Sequence, residues 1–191
     1  MSKMNIVNVG YHSTNYYALE IIGGKLLIDC GWPGTLPQFT AELKRKGIAL
    51  TEIKYLLVTH FHPDHAGLVQ EFKNRGANLI LMETQVGFIE PLNKLIQTKN
   101  IPYTELRDDD NINMSFEGSR NFLASLGLVG EIIPTPGHSA DSVTLILDEG
   151  FAFTGDLRSR FLVPEDDRVT HESWDRINQH KITRVFPAHG S

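Results

Sequence analysis

Short apolar runs bounded by glycine, proline and polar residues recur along the chain, a pattern typical of buried β-strands. Two turns join neighbouring runs, Gly23-Gly24 and Asp148-Glu149-Gly150, and each predicts a β-hairpin. The runs predict nine strands, over Asn5–Val9, Tyr16–Ile22, Lys25–Asp29, Ile53–Val58, Asn78–Met82, Glu131–Thr135, Ser142–Leu147, Phe151–Thr154 and Arg184–Phe186.

Helical spacing of apolar residues appears between the predicted strands. Gly87 and Pro91 interrupt the longest helix and predict a kink in its middle, and Glu105–Asn113 is polar and acidic. Strands and helices occur in two similar groups, which predicts an α/β fold: a four-layer αββα sandwich of two mixed sheets flanked by helices. The predicted helices are Leu36–Lys46, Ala66–Arg75, Thr84–Lys99, a short one around Phe122–Leu126, and His171–His180.

Length and composition are those of one globular domain over residues 1–191, with 41% hydrophobic and 21% charged residues. Cys30 is the only cysteine, which excludes an intramolecular disulfide. The sequence begins without an apolar leader and has no membrane-spanning run, so we expect a soluble, cytoplasmic protein without a membrane partner. A net charge of −5 disfavours nucleic acid as a partner.

The candidate chemistry is concentrated in the stretch Thr59-His60-Phe61-His62-Pro63-Asp64-His65, which directly follows the apolar run of a predicted strand. Imidazole and carboxylate are ordinary zinc ligands. His60 and His62 are two apart on an extended chain, so their side chains point the same way and could share one metal. Asp64 and His65 fall where a helix begins and could serve a second metal nearby.

Three more ligand-type residues follow predicted strands at turns of small residues. They are His138 in Thr135–Ser139, Asp156 in Thr154-Gly155-Asp156, and His189 in Pro187–Gly190. Any one of them alone would more often be a cap or a surface residue. Occurring together behind the histidine turn, they predict that several strand ends contribute to one metal site.

These motifs resemble those of the metallo-β-lactamase superfamily of dinuclear metallohydrolases, in the small form similar to glyoxalase II and lactonases. The resemblance runs through most of the chain and implies a ligand set. It assigns a first metal to His60, His62 and His138 and a second to Asp64, His65 and His189, with Asp156 bridging both. It also implies that Asp29, at the end of Lys25–Asp29, orients the ligand loop.

The expected activity is hydrolysis by a hydroxide that bridges two zinc ions, or iron or manganese, with Asp64 orienting it and carrying a proton. The expected substrate is a small-molecule ester, thioester, lactone or β-lactam, because no appended nucleic-acid module is visible. Arg158 is the leading candidate to bind an anionic group of the substrate. Weaker candidates for substrate contact are His12, Tyr16, Tyr17, Tyr103 and Arg160.

Two alternatives stay open from the sequence. The same ligands would serve a phosphodiesterase or nuclease, because a bridged hydroxide attacks phosphorus as well as carbon. A third possibility is a metal-binding or redox-sensing module that keeps the ligands without an effective substrate pocket. Activity towards acyl and phosphodiester substrates separates these three classes.

Overall fold

A computed structural model describes residues 5–190 of the chain. Its strands are β1 Ile6–Asn8, β2 Tyr17–Ile21, β3 Gly24–Ile28, β4 Ile53–Leu57, β5 Asn78–Met82, β6 Ile112–Met114, β7 Gly130–Pro134, β8 Val143–Leu147, β9 Phe151–Gly155 and β10 Arg184–Pro187. Its α-helices are α1 Leu36–Arg45, α2 Pro63–Ala66, α3 Val69–Lys73, α4 Ile89–Gln97, α5 Phe116–Ser125 and α6 Arg168–Asn178.

The strands form two mixed sheets. The larger has the order β1-β2-β3-β4-β5-β6, antiparallel up to β3 and parallel from β3 onward. The smaller has the order β10-β9-β8-β7, in which only β10 and β9 are parallel. Both predicted hairpins, β2-β3 and β8-β9, are present.

Three clusters of buried hydrophobic side chains lie between four layers. The first joins the outer face of the larger sheet to helices and includes Leu27 and Phe39. The second lies between the sheets and includes Leu26 and Phe153. The third joins the smaller sheet to α6 and includes Trp174. Neighbouring residues of one strand face opposite clusters, as the two-residue period of a strand requires. The predicted four-layer sandwich of two mixed sheets is confirmed.

Two predicted helices differ from the structure. The Ala66–Arg75 helix was wrong in its extent, and the Thr84–Lys99 helix is interrupted at Gly87, as the sequence predicts, but not at Pro91. α2 ends at Ala66, where the predicted Ala66–Arg75 helix would begin, and α3 covers only Val69–Lys73. The break follows at Gly67, where Pro33 packs too closely for a side chain. The segment predicted as Thr84–Lys99 contains a 3₁₀ turn followed by α4, separated by Gly87 at φ +91°. Pro91 therefore lies in the first turn of α4, where no intrahelical N–H is needed, and does not kink its middle.

Smaller differences have local causes. β6 forms within the polar segment because it pairs with β5, a tertiary contact that its composition does not predict. α6 begins at Arg168, earlier than predicted, because the Asp167 carboxylate accepts a hydrogen bond from the Thr170 amide at 3.1 Å and caps the helix. α5 is longer than the predicted Phe122–Leu126 and is capped by Ser115.

Among the helices in residues 5–190, none is long and apolar enough to cross a lipid bilayer.

Candidate metal centre

The histidine turn lies at the carboxyl end of β4. His60 is fully buried, and His62 is the last extended residue before Pro63 begins α2. Asp64 and His65 therefore project from the first turn of this helix. The local chain thus changes from extended to helical within the motif, and the two pairs of ligand-type side chains face neighbouring points, as the sequence predicts.

The first group of ligand-type atoms comes from His60, His62 and His138. The Nε2 atom of His138 lies 3.1 Å from Nδ1 of His62. The loop after β7 brings His138 to the histidine turn from the smaller sheet, so this group joins the two sheets. All three ligand atoms lie within 4.8 Å of one another.

The second group comes from Asp64, His65, Asp156 and His189. The Nε2 atom of His65 lies 3.4 Å from the Asp64 carboxylate and 3.3 Å from the Asp156 carboxylate. The Nε2 atom of His189 lies 3.2 Å and 3.3 Å from the same two carboxylates. Residues from α2 and from the ends of β9 and β10 therefore meet at one point.

Asp156 is shared between the two groups. Its Oδ2 atom lies 3.3 Å from Nε2 of His65 in the second group, and 3.5 Å and 3.9 Å from Nε2 of His138 and His60 in the first. Gly155 makes this position accessible, since its φ is +56° and a side chain there would collide with Thr59. A carboxylate at this point can reach metals in both groups.

Asp29 holds the histidine turn from the end of β3, as the resemblance implies. Its buried carboxylate accepts hydrogen bonds from the Thr59 amide at 2.7 Å and from the Thr59 hydroxyl. It also lies 2.8 Å from Nδ1 of His65. When the Nδ1–H group donates a hydrogen bond to this carboxylate, Nε2 of His65 carries no proton and can face the centre as a ligand.

The last loop is held in a similar way by the first loop of the chain. Nδ1 of His189 lies 2.8 Å from the Ser13 carbonyl, which directs Nε2 towards the carboxylates. Asn15 and Tyr17 donate hydrogen bonds to the Pro187 carbonyl, at 3.2 Å and 2.8 Å. The position of His189 is therefore fixed through its own ring and through the Pro187 carbonyl that precedes it.

The donor set fits a pair of divalent cations. Buried atoms without a hydrogen-bond partner include Nε2 of His60, Nε2 of His65 and Oδ1 of Asp156, and all three face the centre. Such atoms carry a large desolvation cost unless something binds them. Atoms about 2.0–2.2 Å from one tetrahedral zinc ion lie roughly 3.3–3.6 Å apart, close to the separations in the second group.

The two most buried histidines differ in their electrostatics. Burial lowers the pKa of His60 well below its ordinary value, and the neighbouring imidazoles lower it further. Burial also lowers the pKa of His65, but the carboxylates of Asp29 and Asp156 outweigh it and the pKa lies above its ordinary value. The carboxylates thus attract positive charge to the second group.

Sequence reasoning did not identify Asp141, which joins the two segments carrying the first group. Its buried carboxylate accepts a 2.7 Å hydrogen bond from the Phe61 amide, between His60 and His62, and another from the Ser139 hydroxyl, beside His138. The contact with Phe61 spans 80 residues, so the only signal in the sequence is the proximity of Asp141 to His138.

Replacing Asp141 by alanine should destabilise the fold by about 1–3 kcal/mol, because the buried Phe61 amide and the half-buried Ser139 hydroxyl lose their acceptor. The first group should also bind metal more weakly than the second, which competition with a chelator can measure. Asp141→Asn keeps one acceptor oxygen and should recover most of both losses. Asp175→Asn, an exposed change on α6, serves as the control. Equal weakening of both groups would contradict this positioning role.

The residues proposed for substrate contact have different surroundings. Arg158 lines a cavity beside the centre, whereas His12 is exposed in the first loop, next to the Ser13 carbonyl that holds His189. The Tyr103 hydroxyl donates to Asn93 of α4 at 2.7 Å. Tyr16 is fully buried, and its hydroxyl donates to the Asp64 carbonyl, so it helps to position the histidine turn.

Comparison with known families and proteins gives a consistent result. The sequence model of the metallo-beta-lactamase superfamily matches residues 9–189. A beta-lactamase-like protein 2 homolog of Caenorhabditis elegans is 28% identical over 93% of this chain and 56% of its own length. A probable metallo-hydrolase of Methanocaldococcus jannaschii is 31% identical over 95% of this chain and 89% of its own. The chain thus spans little more than half of the animal relatives.

Solved structures agree in fold. A metallo-beta-lactamase family protein from Thermus thermophilus superposes with a TM-score of 0.73 at 20% identity, covering 99% of this chain and 73% of that one. TTHA1623, solved in a di-iron-bound form, gives a TM-score of 0.72 at 24% identity, covering 98% of this chain and 92% of that one. At these identities the similarity extends to the fold alone.

Proposed function

The chain belongs to the metallo-beta-lactamase superfamily, and we propose that it is a dinuclear metal-dependent hydrolase of an acyl substrate: an ester, thioester, lactone or β-lactam. The metals we propose are two zinc ions, with iron or manganese as alternatives, since histidine and carboxylate also suit those metals. His60, His62 and His138 would hold one ion, and Asp64, His65 and His189 the other.

The observation that supports this proposal most is the position of Asp156 between the two groups. Its carboxylate lies within 3.9 Å of ligand-type nitrogens in both. A mononuclear site would not need a carboxylate that faces two separate sets of ligands. The buried, unpartnered atoms in both groups support the same interpretation.

Two bound cations would lower the pKa of a coordinated water and polarise the substrate carbonyl. Hydrolysis joins the oxygen of water to the carbonyl carbon and transfers a proton to the departing alcohol, thiol or amine. Asp64 is suited to carry that proton, because its side chain reaches the centre and keeps some exposure to solvent. Tyr16 fixes the backbone of Asp64 through its carbonyl, which limits the movement of this carboxylate.

The experiment compares kcat/KM of the purified, metal-loaded protein for a thioester, a lactone, a β-lactam and a phosphodiester of similar size. We expect one of the acyl classes to be the preferred substrate. The phosphodiester tests the alternative, because the same centre could attack phosphorus. A phosphodiester preference of more than about tenfold, roughly 1.4 kcal/mol, would replace the acyl proposal. No turnover in any class would favour a binding or sensing module.

A further inference from the structure

A cavity of about 620 Å³ opens beside the candidate metal centre. His138, Asp156 and His189 line it together with the loop after Asp156. A cavity of this volume accommodates a ligand larger than a simple acyl group, because pockets for drug-sized molecules begin at about 300 Å³. The substrate therefore has room for a further group beyond the bond that is cleaved.

An exposed loop with large apolar side chains borders this cavity, and we call it the apolar rim. Phe161 and Leu162, on the 3₁₀ turn Arg160–Leu162, are 95% and 72% exposed. Leu157 and Trp174 also line the cavity and are buried. Large apolar side chains exposed beside an apolar cavity often mark a ligand-binding surface. An apolar ligand group would contact Leu157 and Trp174 and remove Phe161 and Leu162 from contact with water.

The exposed turn is held by hydrogen bonds at both ends. The indole Nε1 of Trp174 donates to the Arg158 carbonyl at 2.9 Å, before the turn. His171 lies 3.0 Å from the Pro164 carbonyl, after the turn. Within the turn, the Leu162 amide donates to the Ser159 carbonyl at 2.8 Å. The apolar rim is therefore part of a fixed loop, which reduces the ordering cost of binding a ligand.

The same loop supplies positive charge to the cavity. Both Arg158 and Arg160 line it and are exposed, and within residues 5–190 neither forms a side-chain hydrogen bond or an ion pair. The acidic residues that follow, Glu165–Asp167, do not line the cavity, and the Asp167 carboxylate caps α6 through Thr170. Thr170 and, less strongly, Arg158 lower the pKa of Asp167, but Arg158 forms no ion pair with it. Two unpaired guanidinium groups beside an apolar surface favour a carboxylate attached to an apolar group.

We propose that this cavity binds a portion of the substrate that carries a carboxylate on an aryl or branched-alkyl group. This proposal rests on the proposed function. The apolar group contacts Phe161, Leu162 and Trp174, and the carboxylate contacts Arg158 or Arg160. The substrate class is therefore an amphiphilic acyl compound with an acid group. The sequence predicts a small acyl substrate with an anionic group near Arg158, and such a compound without an apolar group would leave Phe161 and Leu162 exposed.

The test measures binding without turnover. The chain has two tryptophans, Trp32 and Trp174. In a Trp32→Phe background, Trp174 is the only tryptophan, and it lines the cavity, so its fluorescence reports binding there. The probes are phenylbutyrate, butyrate without the ring, and phenylbutanol without the charge. We expect phenylbutyrate to change the fluorescence with a Kd about tenfold or more below either matched probe, because ring burial and a charge-assisted hydrogen bond each contribute.

Variants assign the two contacts. Phe161→Ser should weaken the binding of phenylbutyrate by about tenfold and leave the binding of butyrate unchanged, because only the phenyl ring contacts that side chain. The control is Ile22→Ser, since Ile22 is 71% exposed, much like Leu162, but lies on the β2-β3 hairpin outside the cavity. The double variant Arg158→Gln/Arg160→Gln should reduce the affinity for phenylbutyrate to that for phenylbutanol. This result distinguishes a carboxylate bound by the arginines from a carboxylate bound by a metal.

The proposal is overturned if phenylbutyrate binds no more tightly than butyrate, or if Phe161→Ser behaves like Ile22→Ser. It is also overturned if the arginine double variant leaves phenylbutyrate affinity unchanged. The hydrolase proposal fails separately: selective binding of phenylbutyrate with no turnover of any ester, thioester, lactone or β-lactam would contradict the hydrolase and support the cavity. Turnover without selective binding would contradict the cavity alone.

Discussion

Replacing Asp156 by alanine should remove most of the metal from both groups and lower kcat/KM by about a thousandfold or more, because several kcal/mol of transition-state stabilisation depend on bound metal. The physical reason is the position of its carboxylate, which lies 3.3 Å from ligand-type nitrogens of the second group and 3.5 Å from His138 in the first. Metal analysis together with steady-state kinetics measures both effects.

The variant His62→Ala provides a comparison that tests whether Asp156 contributes to both metal sites. His62 belongs only to the first group, so this variant should lose one metal and keep the other. Both variants should show a lower Tm in metal-replete buffer, since bound metal stabilises the folded state by mass action. If both kept full metal and full turnover, the active centre would lie elsewhere in the chain.

Replacing Asp29 by alanine should lower the free energy of unfolding by about 3–5 kcal/mol, the usual cost of breaking a buried charged pair. The carboxylate is the acceptor for the Thr59 amide and hydroxyl and for Nδ1 of His65, and all of these groups are buried. Metal affinity of the second group should fall about 10- to 100-fold, because the ring of His65 loses its orientation. Urea unfolding and chelator competition measure the two losses.

Asp29→Asn separates orientation from simple packing. The amide keeps one acceptor oxygen for the Thr59 amide but no longer accepts at both positions. We expect stability to recover in part, with metal affinity still reduced. Asp175→Asn on α6 controls for the loss of one negative charge at the surface. A variant with restored stability and full metal affinity would contradict the role of Asp29 in orienting His65.

The two-sheet sandwich could be predicted from the sequence because its buried strands appear there directly as short apolar runs. The boundaries of α2, α3 and α4 could not. Gly67 is small because Pro33 packs on it, and this contact is set by tertiary structure. β6 is defined by pairing with β5, not by its own composition. Local pattern therefore predicts the layers better than the breaks within them.

The candidate centre shows the same division. His60, His62, Asp64 and His65 are close in sequence, and their spacing alone predicts a shared site. His138, Asp156 and His189 were identified through turns at strand ends, and the structure brings them to the same place. Asp141 was missed because its carboxylate acts on the Phe61 amide, a backbone group, which leaves no side-chain pattern in the sequence.

The central claim is that two metals bind between these strand ends, and the most direct test is the metal content of the protein purified without chelator from metal-replete cells. Elemental analysis should give close to two ions per chain, and the identity of the metal distinguishes zinc from iron and manganese. A content near zero in folded protein purified from metal-replete cells would contradict the account.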